Sequence, residues 1–278
     1  KKRGHFHHLT KLSYNQVSKS KNGHVNVILI ASNKVYKRNN KMANNGIKAL
    51  VFDVFGTVVD WRTSIAREVE EYLSPKGYKL DWLSLADKWR GKYQPAMQKV
   101  RSGGRGFVRL DILHMENLRE VLQDFAVEGM TEVDLDYLNR AWHRLDPWPD
   151  SVAGLLRLKK KFIIGTMSNG NVALMVNMAK NGGLPWDVIL GAEPAQTYKP
   201  EPKTYLTGVD WLNLQPSEVL MCAAHNSDLL AAGAEGLKTA FIARPKEYGP
   251  NQQHDFEAEH DFDYITENML DLADKLGC

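Results

Sequence analysis

Ile47-Lys48-Ala49-Leu50-Val51-Phe52-Asp53-Val54-Phe55-Gly56-Thr57 is a short apolar run that ends on a single carboxylate. A brief apolar stretch closed by turn residues reads as a buried strand, here with Gly56 and Thr57 closing the loop behind it. Such a strand places Asp53 at its carboxyl end. Open α/β sheets bind their ligands there, and a carboxylate in that position is suited to nucleophilic attack.

The chain changes character on either side of Pro147-Trp148-Pro149. From Thr63 to about His143 the apolar residues recur at helical spacing, as in Ile65, Val69 and Leu73, or Leu118, Val121, Leu122 and Phe125. Ser102-Gly103-Gly104 interrupts this block with a loop signal. Beyond it, apolar strands at Phe162–Met167, Val188–Leu190, Val219–Ala223 and Thr239–Ile242 alternate with helical patterns. That alternation implies βαβ units and a parallel sheet with helices on both faces. Right-handed crossovers bring the strand ends to one rim. The strand before Asp53 joins this sheet, so the helical block becomes an insertion above the rim. The expected division is an α/β core of residues 42–62 and 147–278 with a helical cap of residues 63–146.

With 278 residues, 43% hydrophobic and 25% charged, the chain has the composition of a globular protein able to bury a sizeable core. No apolar run approaches the roughly 20 residues needed to cross a bilayer, so no membrane partner is expected. Cys222 and Cys278 are the only cysteines. They favour a reducing, cytoplasmic compartment over a disulfide framework. The net charge of +3 is uneven: residues 1–41 carry ten Lys or Arg and no acid, which leaves the remainder at −7. A mildly acidic globular part argues against nucleic acid as a partner. The first Met is Met42, so residues 1–41 read as a disordered or non-native basic tail ahead of a start at Met42. A targeting peptide fits less well, because such peptides are rich in Arg and this stretch is mostly Lys and Asn. A nucleic-acid-binding arm fits least.

Four loops at the strand ends carry polar residues. They hold Asp53 and Thr57; Ser168-Asn169-Gly170-Asn171; Gln196-Thr197-Tyr198-Lys199-Pro200; and Ala223-Ala224-His225-Asn226-Ser227-Asp228. A nucleophilic carboxylate, a hydroxyl and amide pair, a lysine and a second acid make a coherent displacement site. Lys199 would keep Asp53 ionised, since a nearby opposite charge lowers a carboxylate pKa. Each residue also has a plainer reading. An Asp after a strand is often a turn or cap residue, Ser-Asn-Gly-Asn is a turn by default, and a Lys before Pro is usually on the surface. His225 has no second His or Cys at ligand spacing, so it reads as a hydrogen-bonding residue and not a metal ligand.

The order of these motifs resembles the haloacid dehalogenase superfamily, and within it the type II, L-2-haloacid branch. The resemblance runs from about Lys48 to Leu276. Its most specific motifs are Phe52-Asp-Val-Phe-Gly-Thr57, Met167-Ser-Asn-Gly170 and Tyr198-Lys-Pro-Glu-Pro-Lys-Thr-Tyr205. Phosphatases of the superfamily read Asp-x-Asp-Gly-Thr, and their second Asp is the general acid and base. Here that position is Phe55, as type II enzymes carry an aromatic residue there. A positioned proton donor contributes on the order of 10²–10⁴-fold to a rate, and a phenyl ring contributes none of it. The leaving group must need no proton, and a halide is one.

The resemblance implies roles position by position. Asp53 corresponds to the nucleophile that forms an ester with inversion at C2. Thr57, Ser168 and Lys199 correspond to the residues holding Asp53 and the substrate carboxylate. Arg90, in the cap, corresponds to the arginine that clasps the substrate and receives the halide. Asn169 matches the amide beside the serine, Tyr205 a site tyrosine, and Asp228 the acid that orients hydrolytic water and Lys199. Phe55 and Trp89 would form apolar walls. The fourth loop departs from the familiar pattern, with Ala223 at its Ser position and His225 at its Asn position; Asn226 keeps the amide but not the spacing. The resemblance implies an α/β, Rossmann-like parallel sheet with an inserted helical cap, a small 2-haloacid as substrate, no metal or other cofactor, and a homodimer. A Mg-dependent phosphatase and a non-catalytic binding protein are the alternatives.

Overall fold

The computed structural model describes residues 46–278, together with the backbone of 29–31 and 34–36. Two antiparallel strands, β1 (Leu29–Ala31) and β2 (Lys34–Tyr36), pair with each other in a unit separate from residues 44–278. The sequence reading assigned no element there; Val27-Ile28-Leu29-Ile30 supplies the strand propensity. The rest of the expected basic tail lies outside the described residues.

In the second unit β3 (Ala49–Phe52) leads to the two-residue strand β4 (Val59–Asp60). Five helices follow before β5 (Asp146–Pro147) returns antiparallel to β4. The remaining strands are β6 (Ile163–Ser168), β7 (Val188–Gly191), β8 (Val219–Ala223), β9 (Lys238–Ile242) and β10 (Tyr264–Thr266). Six of them form one parallel sheet in the order β10-β9-β8-β3-β6-β7. β3 and β8 are buried along their whole length, as expected for strands covered on both faces. Side chains alternate between two cores. Leu50, Phe52 and Ile164 pack with helices α6 (Ser151–Lys159), α7 (Val172–Gly182) and α11 (Met269–Lys275). Val51, Met167 and Met221 pack with α9 (Pro202–Trp211), which follows the single turn α8 (Ala192–Ala195), and with α10 (Asn226–Ala234).

β10 is a correction to the sequence reading. It is a three-residue edge strand flanked by acids, too short and polar to show as an apolar run; its place is fixed by pairing with β9 and by Thr266 Oγ1 donating to Phe241 O at 2.8 Å.

The insertion consists of α1 (Trp61–Leu73), α2 (Trp82–Gly91), α3 (Tyr93–Arg101), α4 (Leu110–Asp124), α5 (Glu132–Asn139) and a 3₁₀ turn at Arg140–His143. α1 starts at Trp61, ahead of the expected Thr63, because Asp60 caps it by accepting from Thr63 N at 3.1 Å. Asp81 caps α2 through Ser84 N, and Thr131 and Asp134 form a capping box on α5. Ile65, Val69 and Leu73 are buried as the one apolar stripe their spacing implied. The passage between sheet and insertion is pinned to the Asp53 loop by Trp148 Nε1 donating to Gly56 O and Ser151 Oγ to Val58 O.

Strand order locates the binding crevice. From β3 the chain moves outward to β6 and β7, then returns to β8 on the other flank and moves outward again. The crevice at such a reversal, outside the strands' carboxyl ends, is where open α/β sheets take ligands. Asp53 lies directly after β3 and His225 shortly after β8.

Candidate active site

Asp53 is 6% exposed, and its backbone N–H is fixed to Cys222 O of the neighbouring strand. Its two oxygens differ. Oδ1 accepts from Lys199 Nζ at 2.9 Å, whereas Oδ2 accepts from Thr57 Oγ1 at 2.9 Å and lies 3.0 Å from His225 Nδ1. Burial alone would push this carboxyl up, but Lys199 and His225 outweigh it and hold Asp53 well below the usual carboxylate range. Asp53 is therefore ionised. Thr57 is itself fixed, accepting from Ala224 N at 2.8 Å.

Lys199 is buried, contrary to the plain reading of a Lys before Pro. Its ammonium sits between Asp53 and Asp228, donating to both, and its backbone N–H donates to Asn169 Oδ1 at 2.8 Å. Burial works against its charge; Asp228 and Asp53 restore it and raise its pKa above the ordinary value. Asp228 is shifted the other way. Burial and the nearby Asp53 raise its carboxyl against the opposing effect of Lys199, and Tyr205 OH donates to Asp228 Oδ1 at 2.6 Å. The two acids thus have different character: Asp53 is a stable anion and Asp228 is better able to hold a proton.

These groups line a cavity of about 380 Å³ together with Asn169, His225 and Arg90. Arg90 reaches it from α2, across the rim from Asp53. Its guanidinium carbon lies 4.1 Å from the Tyr93 ring centre, 5.5 Å from Trp61 and 5.8 Å from Phe55. Tyr93 and Glu247 lie close enough to favour its charge, but Nη1 is buried without a hydrogen-bond partner. A cation with a buried, unused donor is suited to binding an anion.

Asp53, Arg90, Asn169, Lys199, His225 and Asp228 thus meet around one cavity. Thr57, Ser168 and Tyr205 stand behind it: Thr57 and Tyr205 hold Asp53 and Asp228, and Ser168 Oγ accepts from Gly170 N to shape its loop. Three further residues expected to touch substrate likewise do not line the cavity. Trp89 is fully buried between helices, donating to His114 O, because it precedes Arg90 on α2 and one helical step turns the two side chains apart. Phe55 packs edge-on against Trp142 and backs the Arg90 guanidinium. Asn226, buried, turns to the loop after β9 and ties it down, bonding Asp255, Glu257 O and Glu259 N.

That loop holds what the sequence reading missed. Tyr248, His254 and Asp255 line the cavity with Tyr93, Gln94 and Ser227. Glu247, only 1% exposed, meets His225 Nε2 with both oxygens at 3.1 and 3.0 Å and accepts from Trp61 Nε1 at 2.9 Å. In sequence it stands in Arg244-Pro-Lys-Glu-Tyr-Gly249, which looks like a solvated loop and gives no local signal.

Residues 47–234 match the model of the haloacid dehalogenase-like hydrolases. The chain is 30% identical over 208 residues to (S)-2-haloacid dehalogenase 1 of Pseudomonas sp. (strain CBS-3), covering 73% of this chain and 88% of that protein. Among solved structures it is similar to the defluorinating L-2-haloacid dehalogenase Rha0230, with 49% identity and a TM-score of 0.82 over 84% of this chain and 96% of the other. It is also similar to the L-2-haloacid dehalogenase PA0810, with 46% identity and a TM-score of 0.80 over 83% and 98%. The chain belongs to the haloacid dehalogenase-like hydrolase family.

Proposed function

We infer that the protein hydrolyses the carbon–halogen bond of short (S)-2-haloacids to (R)-2-hydroxyacids through an Asp53 ester, without a metal. The observation that carries this reading is one arrangement: an ionised Asp53 faces a cavity that an unpaired Arg90 enters from the other side, with Phe55 where a proton donor would stand. A halide leaves without protonation, and an anionic substrate and a departing anion both suit Arg90. The relatives named as (S)-2-haloacid dehalogenases support the same substrate class.

Oδ1 of Asp53 attacks C2; a carbon–oxygen bond forms as the carbon–halogen bond breaks, and the halide leaves toward Arg90 with its electron pair. The insertion serves as a cap that closes over this step and excludes water. Water then adds to the Asp53 carboxyl carbon, passing one proton to Asp228. The bond from that carbon to Oδ1 breaks, and Oδ1 departs as the product hydroxyl with a proton from Lys199, which Asp228 returns to Lys199. The second water proton leaves from the regenerated Asp53 carboxyl. Lys199 Nζ occupies the space between the two carboxylates, so the charge that a cation would supply there comes from the chain itself. We further propose a cytoplasmic setting, consistent with Cys222 and Cys278 both being free thiols, and a homodimer, which sedimentation would test.

Incubation with 2-chloropropionate should release chloride at a rate unchanged by EDTA. p-Nitrophenyl phosphate with Mg²⁺ should release no phenolate. Chloride release abolished by chelation and restored by Mg²⁺, or phenolate release without chloride, would replace this reading with a metal-dependent phosphatase.

A further inference from the structure

His225 and Glu247 form an arrangement that goes beyond keeping Asp53 ionised, a task in which Lys199 has the larger part. The imidazole lies between two carboxylates, with Nδ1 3.0 Å from Asp53 Oδ2 and Nε2 3.0 Å from Glu247 Oε2. Ionised carboxylates only accept hydrogen bonds, so both ring nitrogens must carry protons and the ring is an imidazolium. Burial disfavours that charge, but Glu247 and Asp53 overcome it and raise the His225 pKa well above its ordinary value. Glu247 is placed as deliberately as His225. Trp61 Nε1 fixes one oxygen, and the Asp53 loop makes room for the carboxylate: Gly56 has φ +86, and a Cβ there would lie 2.0 Å from Glu247 Oε1.

We propose that the His225 imidazolium, kept charged by Glu247, forms with Thr57 an oxyanion hole for hydrolysis of the Asp53 ester. The proposal rests on the ester mechanism above. Attack on carbon needs a lone pair free to point at it. Oδ1 has one donor, Lys199, whereas Oδ2 has two, Thr57 and His225. Oδ1 therefore becomes the ester oxygen and Oδ2 the ester carbonyl oxygen. When water adds to the carboxyl carbon, the carbonyl electron pair moves onto Oδ2. Donors at 2.9 and 3.0 Å already point at that atom, within the range that stabilises a developing oxyanion. Collapse returns the pair to the carbonyl and expels Oδ1 with the product, so His225 donates throughout and transfers no proton.

The two half-reactions should depend on this ring in opposite ways. In the displacement step Asp53 loses negative charge, so an imidazolium beside it gives no advantage. In hydrolysis Oδ2 gains charge, and the imidazolium does. Once Asp53 is esterified only Glu247 remains as its counter-charge, which is why a second carboxylate is needed. His225 is then a catalytic residue of the second step, and Glu247 a positioning residue that acts through it.

Rapid-quench kinetics with 2-chloropropionate separate the steps for wild type, His225→Ala and Glu247→Gln. In His225→Ala the first-turnover chloride burst should remain close to that of wild type while steady-state turnover falls by about 10²-fold, the loss seen for one oxyanion donor. Mass spectrometry should show the adduct accumulating on the peptide that contains Asp53. Glu247→Gln keeps the shape of the side chain without its charge, so it should show the same split to a smaller degree even where His225→Ala folds poorly. Burst and steady state falling together with no adduct, or both variants turning over at the wild-type rate, would overturn the proposal. A wild-type enzyme that releases chloride without ever forming an adduct would instead overturn the ester mechanism beneath it.

Discussion

The chemistry of the site depends on where each charge is left without a partner. Asp53 and Asp228 share Lys199, and His225 also faces Asp53, so each of these groups has a partner in the resting enzyme. Arg90 is not balanced: aromatic rings surround its guanidinium and Nη1 has no acceptor. A departing halide accumulates negative charge as its bond lengthens, and Arg90 keeps its charge at any working pH. Arg90→Ala should therefore reduce kcat/KM for 2-chloropropionate by roughly 10²-fold, about 2.7 kcal/mol of transition-state stabilisation. Arg90→Lys should recover part of that loss, since a point charge cannot reproduce the planar fork. Steady-state kinetics on the two variants check this; wild-type kcat/KM in Arg90→Ala would remove Arg90 from the site. Asp53, Thr57, Lys199 and Asp228 were legible in sequence because each follows a strand whose apolar run marks its end. Trp89 and Asn226 were expected in the cavity on resemblance alone. Each adjoins a cavity residue in sequence, and the local backbone turns such neighbours to different sides.

At the level of elements, what the sequence conceals is tertiary contact without a local pattern. The parallel strands of the core declare themselves as apolar runs, and α1 by its Ile65, Val69 and Leu73 stripe. β10 and the loop between β9 and β10 do not, because their positions depend on partners far along the chain. Glu247 is the clearest case: it belongs to a loop that reads as solvent-exposed, yet Trp61 and His225 bury it. The Asp53 loop is shaped to receive it, which gives Gly56 a reason beyond its left-handed backbone. Gly56→Ala should combine strain at φ +86 with a clash against Glu247, lowering stability by about 1–3 kcal/mol, the usual range for overpacking. Thermal denaturation and turnover should both fall, and a variant with wild-type melting and activity would show that Glu247 yields its place freely. The helical insertion is also tied to the rim, through Arg101 Nη1 to Lys199 O, Tyr198 OH to Val108 O, and Asn171 Nδ2 to Asp111 Oδ2. These contacts keep α2, and with it Arg90, in register with the strand ends.

For the whole molecule, composition indicated a globular protein and the alternation of strands and helices its α/β fold, and among the described residues no helix is long and apolar enough to cross a membrane. The acidic balance of residues 42–278 suits a small-molecule enzyme better than a partner of nucleic acid. Among the described residues, those that line the cavity run from Asp53 to Asp255. A chain beginning at Met42 should therefore keep the melting temperature and the 2-chloropropionate turnover of the full chain. Loss of activity, or melting lower by several degrees, would show that the segment supports the core.

In the proposed mechanism Asp53 carries the substrate as an ester, and water attacks the carboxyl carbon of that ester. One turnover of excess enzyme with 2-chloropropionate in H₂¹⁸O tests it directly. Heavy oxygen is expected in the peptide containing Asp53, with the 2-hydroxypropionate unlabelled because its hydroxyl oxygen comes from Oδ1. Label in the product and none in Asp53 after that single turnover would mean that water displaces the halide directly, and the ester mechanism would be contradicted.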